Sequence, residues 1–349
     1  MAAFALSRRG AVRSALVAAA ATFGPSQPAR AWCGERFPSW AYYLTWDERA
    51  VPFEVQGVKG VVLYRVVGDV AREEKSKVPP VLVVGTPGLG YEYLENLEAL
   101  TVSDRRVIEV TFAGTGDGAR APAALRTVDA WTEQLRLVCQ SLDVQTVHLV
   151  AHGLGAGPAL QLASRAVAGS PAPRVRSLSL VSPFGTAADL REGARGALLS
   201  APDGPRQSSL LLPTTSGNAR GSCIAESRAA AGKPSLVGAG ELLLASSGAE
   251  PLGSASLGQR LQSATAAGLP VLLATGGAAD LVDAGGWDGV PNGVQRLAFT
   301  GSGHLPFIEQ REQFLTSLLT FLDKADGVET NRELKFADPL ATIKGLQSS

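Results

Sequence analysis

Chemistry-bearing residues are scarce in this chain, and each scarcity removes a class of function. Three cysteines occur in 349 residues: Cys33, Cys139 and Cys223. They are too far apart to form a CxxC pair or a disulfide framework. His148, His152 and His304 are the only histidines. So little ligating material points to no metal, and no cofactor is expected either. The formal net charge is zero, with no basic stripe or charge block, so nucleic acid is not an expected partner. No apolar run approaches the roughly 20 residues of a membrane-spanning helix. No acidic residue precedes Glu35, and no aromatic residue occurs between Gly185 and Gly286.

What is present suits a globular protein with many turns: 45% apolar residues, 39 glycines and 21 prolines. The length allows one large α/β domain with an insertion, or two smaller domains. Residues 1–31 read as an address and not as part of the fold. Arg8, Arg9 and Arg13 precede an alanine-rich run from Ala15 to Phe23, and Ala29-Arg30-Ala31 forms an A-x-A cleavage pattern. Ser7-Arg8-Arg9 resembles a twin-arginine export signal, which leads to a periplasm or a thylakoid lumen. An ordinary secretory or organellar presequence is the alternative.

Along the rest of the chain, strand and helix patterns alternate. Val51–Val55 and Gly60–Val66 flank a Gln-Gly-Val-Lys-Gly turn and predict a β-hairpin. Val81–Val84 reads as a buried strand entering the glycine-rich loop Gly85–Gly90, and 106–112 as a strand closed by Gly114-Thr115-Gly116. Thr127–Leu142 carries Val128, Trp131, Leu135, Val138 and Leu142 at helical spacing. Further strands are expected at 147–150, 175–181, 271–274 and 294–299, and helices at 155–168 and 310–322. This alternation predicts a mostly parallel sheet with helices on both faces, and reactive groups on the loops beyond the carboxyl ends of the strands. Residues 187–268 break the pattern. They are rich in Ser, Gly, Ala and Pro and read as a degenerate, lid-like insertion with little apolar surface to grip a ligand. Residues 326–349 read as a polar tail, which leaves 36–325 for the folded domain.

The turn after the strand at 147–150 reads Ala151-His152-Gly153-Leu154-Gly155 and leads straight into a helix. A strand, a sharp turn and a helix with the pattern G-x-S-x-G make a nucleophile elbow, in which a serine is raised above the sheet. Here that position is Gly153, which offers no hydroxyl. Cys139, on the apolar face of a helix, reads as a small core residue. Cys223 has no neighbour that suggests activation.

From about Val51 to Leu322 the chain resembles the α/β-hydrolase superfamily, and most of all its proline iminopeptidase (serine aminopeptidase) branch. "VLVVGTPGL" (81–89) resembles that branch's "LLLHGGPGL", and "VHLVAHGLG" (147–155) its "VHLLGHSWG". Gly114-Thr115-Gly116 matches the glycines of "DQRGxGRS". Gly277–Asp280 fits "GxxD", and Gly301–Phe307 fits "xSGHMPF". The resemblance implies an α/β-hydrolase fold with His304 as general base and Asp280 as the residue that orients it; Asp283 is the fallback acid. It also implies Gly153 at the nucleophile position, and Leu154 and Thr86 as backbone donors of an oxyanion hole. His152 matches a family histidine beside the nucleophile and is expected to pack beneath the turn.

The departures cluster where chemistry would be. Val84 stands for the family's loop histidine, Thr111 for its loop aspartate, Ala151 for a glycine and Gly153 for the serine, while the framework glycines remain. Three readings follow: a non-catalytic relative kept for binding, assembly or regulation; a hydrolase using water or a lid serine such as Ser208 or Ser209; and a His304–Asp280 general-base enzyme that is not a hydrolase. A small-molecule or peptide ligand suits each, and the sequence gives no oligomeric state.

Overall fold

The computed structural model describes residues 46–55, 57–68, 78–87, 92–113, 127–168, 172–185, 189–200, 257–278, 280–282 and 290–328. The presequence, the tail beyond Val328, the Gly114–Gly118 loop, Asp283, and residues 201–256 with Ser208, Ser209 and Cys223 lie outside them.

Eight strands are described: β1 (Trp46–Val55), β2 (Val58–Val67), β3 (Val81–Val84), β4 (Val107–Thr111), β5 (Thr146–His152), β6 (Arg174–Val181), β7 (Val271–Gly276) and β8 (Val294–Phe299). They form one sheet in the order β1-β2-β4-β3-β5-β6-β7-β8. Only β2 runs against its neighbours, pairing antiparallel with both β1 and β4; every pairing from β4 to β8 is parallel. Every residue of β3, β4 and β7 is buried. Strands covered on both faces favour apolar runs, as in β3; the exception is Glu109 in β4, whose buried carboxylate is bonded to Arg65 Nε of β2 at 2.8 Å. β8 closes the edge and is half-exposed.

The described helices are α1 (Val128–Ser141), α2 (Ala156–Val167), α3 (Glu192–Ser200), α4 (Leu257–Ala266), α5 (Pro306–Glu309) and α6 (Arg311–Asp326). α1 starts at Thr127, whose hydroxyl accepts from the Ala130 N–H at 3.2 Å. Its buried face carries Val128, Trp131, Leu135, Val138 and Cys139. α1, α2 and α4 pack together as one layer, and α6 packs with a 3-10 segment, Glu92–Ser103, as another. The 3-10 segment was not expected from sequence. Leu94, Leu97 and Leu100 recur at a spacing of three and are all buried, the period that lines up side chains in a three-residue turn.

Two sequence boundaries move. α4 lies inside the stretch read as lid, yet its Leu261 is fully buried and the helix packs on α2. The last helix continues past the expected Leu322 to Asp326. The physical reason is a buried charge network. Asp326 accepts from Arg105 at 2.5 Å, from His148 Nε2 at 3.1 Å and from Arg176 Nε at 3.4 Å. Arg105 also pairs with Asp323 at 3.0 Å, and Ser177 Oγ lies 2.8 Å from His148 Nδ1. Burial pushes the His148 imidazole down to about 4, so it is neutral at pH 7. Ser177, His148 and Asp326 are thus bonded in series like a catalytic triad. Ser177 and His148 are wholly buried, however, and the arrangement fastens α6 to β5 and β6.

Candidate functional site

β5 delivers its last residue, His152, into a one-turn 3-10 segment, Gly153–Gly155, that runs directly into α2. Gly153 sits at φ +56°, the left-handed region that glycine adopts without penalty. Gly155 is required by proximity: a Cβ there would lie 2.3 Å from the Val84 carbonyl oxygen and 2.6 Å from that of Gly85. The turn is therefore pressed against the loop that leaves β3, which brings Thr86 over Gly153.

His304 reaches the same point from the loop between β8 and α5. Its Nε2 stands 3.7 Å from where a Cβ on residue 153 would be. Its Nδ1 donates to Asp280 Oδ1 at 2.9 Å. Asp280, at the end of the loop after β7, also accepts from Ser182 Oγ and the Gly276 N–H, both at 2.7 Å, and from the Val282 N–H at 3.2 Å. Burial favours the neutral acid, but the hydrogen bonds and charge of His304, with those of Ser182 and Gly276, outweigh it and hold the carboxyl below its usual range. In the neutral tautomer, the bond to Asp280 fixes the His304 proton on Nδ1 and leaves the lone pair on Nε2, aimed at the turn. That buried Nε2 has no hydrogen-bond partner among the described residues.

The supporting residues come from three loops. His152 Nε2 donates to the His304 carbonyl oxygen at 3.0 Å, so the imidazole beneath the turn anchors the backbone of the residue above it. Burial pushes His152 down to about 3, consistent with its packing role. Thr86 donates to the His152 carbonyl oxygen at 3.2 Å. Phe184, fully buried, donates its N–H to the Gly153 carbonyl oxygen at 3.3 Å and lies beside the His304 ring, 5.9 Å between centroids.

His304, Asp280, Gly153, Leu154 and Thr86 therefore meet at one buried point beyond the carboxyl ends of β3, β5, β7 and β8. Cys139 is elsewhere, in the α1 core, with its thiol pushed up to about 12 by burial. Ser182 and Phe184 were not singled out in the sequence. Both follow β6 in "LVSPFG", and only the fold shows that Ser182 supports the acid. Ser182 takes φ +41° to do so, a conformation no sequence pattern announces. Among the described residues no group of three or more His, Cys, Asp or Glu is placed to hold a metal, and no helix is long and apolar enough to cross a membrane.

Comparison with known proteins gives a consistent answer. The family model for the Alpha/beta hydrolase family matches residues 81–316. A proline iminopeptidase from Lactobacillus acidophilus is 34% identical over 95 residues, which is 26% of this chain. The matched segment spans only 31% of that relative's length. Among solved structures, a proline iminopeptidase from Mycobacterium smegmatis superposes with a TM-score of 0.54 at 22% identity, covering 80% of this chain and 99% of that one. A putative aryl esterase from Burkholderia cenocepacia gives 0.59 at 18% identity, covering 80% and 100%. At these identities the structural likeness is one of fold.

Proposed function

The chain belongs to the alpha/beta hydrolase family, and from that premise we propose that it is a proline-iminopeptidase-like member with residue 153 at the nucleophile position and no nucleophile there. On this reading it forms no serine acyl-enzyme and keeps its fold for binding a small-molecule or peptide ligand, for assembly or for regulation. The observation that carries the proposal is the geometry at Gly153. The base lone pair of His304 is aimed at a residue with nothing to deprotonate, 3.7 Å from its would-be Cβ. A triad without its nucleophile keeps only about 10³–10⁴-fold over water, from oxyanion hole and binding.

A second reading rests on the part that is intact. A histidine held by an ionised, fully hydrogen-bonded aspartate, with its other nitrogen unpartnered, can take a proton from a bound ligand. That would be general-base chemistry without hydrolysis. We also propose that residues 1–31 are a twin-arginine-like targeting presequence; a mature N-terminus far from Ala31 would oppose that.

The test compares native protein with His304→Ala on aminoacyl and short-chain acyl ester and amide reporters, together with fluorophosphonate labelling. The expected result is no labelling and no turnover from either. Turnover that labels, or that dies in His304→Ala while leaving a trapped acyl adduct, would refute the proposal and send the search to another nucleophile. Proton exchange at a bound ligand that dies in His304→Ala without labelling would favour the second reading.

A further inference from the structure

The absence of a side chain at Gly153 is only half of what separates this site from a working one. A Cβ on residue 153 would lie 2.3 Å from Thr86 Oγ1, far inside any tolerable contact, and 3.2 Å from Phe184 Cε1. The hydroxyl from the β3 loop therefore stands where a nucleophile's first carbon would stand. It is held there by its bond to the His152 carbonyl oxygen, 3.2 Å away. No other atom of Thr86 lies nearer to that point than the 3.7 Å of His304 Nε2, so Oγ1 is the one Thr86 atom in conflict, and Phe184 Cε1 adds only a lesser crowding.

We infer that Thr86 and Gly153 form a coupled pair in which the Thr86 hydroxyl plugs the nucleophile's place, so that returning a serine to position 153 does not by itself restore a working site. The inference rests on the proposed assignment of residue 153 as the nucleophile position. Thr86 acts here as a positioning residue: it decides where a side chain on residue 153 can go, and so whether a hydroxyl can meet His304 Nε2. To accept a serine, the Thr86 side chain must rotate and give up its bond to His152. Otherwise the turn must move, and at Gly155 there is no room even for a Cβ beside the Val84 and Gly85 carbonyls. Gly153 also carries φ +56°, which an L-residue adopts only under strain. Removing Oγ1 while keeping the Thr86 Cβ relieves the conflict at the cost of the bond to the His152 carbonyl oxygen.

The experiment uses the full chain and fluorophosphonate labelling, in which a serine oxygen forms the bond to phosphorus, fluoride leaves and His304 Nε2 takes the hydroxyl proton. Four proteins are compared: native, Gly153→Ser, Gly153→Ser with Thr86→Ala, and Gly153→Ser with Thr86→Val. Valine keeps a group of the same size in place of the hydroxyl, so it separates bulk from polarity. The expected result is labelling of the Thr86→Ala double variant at least tenfold faster than of Gly153→Ser, and no gain from Thr86→Val. Equal labelling of all three variants, or of none, would overturn the inference. Labelling of the native protein would instead overturn the proposed function, so the two failures are distinct. If the serine variants do not fold, Gly153→Ala replaces them, since it adds the Cβ alone. The drop in unfolding midpoint that it causes should be smaller in a Thr86→Ala background, and an undiminished drop overturns the coupling.

Discussion

Asp326→Ala should weaken the fold more than any substitution near the candidate site. The carboxylate is the common acceptor for Arg105, His148 and Arg176. Losing it leaves a nearly buried guanidinium, only 1% exposed, with one carboxylate instead of two. Removing one partner of a buried ion pair costs about 3–5 kcal/mol. Arg105 keeps Asp323 at 3.0 Å, which places the loss at the low end, about 3 kcal/mol. Stranding His148 Nε2 adds about 1 kcal/mol for an unsatisfied buried donor. Arg176, about a third exposed, adds almost nothing. The sum is about 4 kcal/mol, and at roughly 2 °C per kcal/mol for a domain of this size the midpoint falls by about 8 °C. Urea unfolding at pH 7, followed by Trp fluorescence, measures the free energy directly; thermal scans give the midpoint. Asp326→Asn, which keeps one oxygen acceptor, should fall between native and alanine. A loss below about 1 kcal/mol for Asp326→Ala would mean that the network does not secure the last helix, and the reasoning from buried charge would be wrong.

Other outcomes follow from the same contacts. His148 and His152 are neutral in the fold, at about 4 and about 3, but titrate at their ordinary value of about 6.5 when unfolded. The unfolded chain therefore binds more protons below pH 6.5. Stability is full above that pH and falls as pH drops toward 4, with Asp280 contributing in the same direction at lower pH. A flat profile of unfolding midpoint against pH from 7 to 4.5 would contradict this, and His148→Gln should reduce the slope. Gly155→Ala should cost more stability than Gly153→Ala. Its Cβ meets two backbone carbonyls within 2.6 Å, whereas that at position 153 meets first the end of the Thr86 side chain. The reverse order in urea unfolding would show that the turn is free to shift.

The sheet was legible because its strands are short apolar runs punctuated by Gly and Pro, and the order of pieces from 81 to 307 already implied the fold. Also legible was that His304, Asp280 and Gly153, each on a turn or loop that follows a recognisable strand, would converge. The 3-10 segment at 92–103 was passed over although Leu94, Leu97 and Leu100 carry its period, because a period of three is weak without a strand or helix to anchor it. Ser182 and the Asp326 cluster were illegible for another reason. Their partners lie 98 and up to 221 residues away in the chain, and a charge in a sequence does not reveal whether it will be solvated or paired. The resemblance marks Thr86 only as a backbone donor. That its hydroxyl covers Gly153 depends on one rotamer across a 3.2 Å bond, a detail below the resolution of any pattern.

The tie between Arg105 and Asp326 also dictates an order of events during synthesis. A chain made from its N-terminus presents Arg105, His148 and Arg176 long before Asp323 and Asp326 exist, with 221 residues separating the first pair. Until α6 emerges, the Arg105 and Arg176 guanidinium groups and the neutral His148 ring lack the carboxylate that joins them in the finished fold. The network that fastens α6 to β5 and β6 is thus among the last contacts the chain can make. Nonsense or frameshift products that stop short of Asp326 should be recognised by chaperones and proteases as unfinished, however complete their sheet.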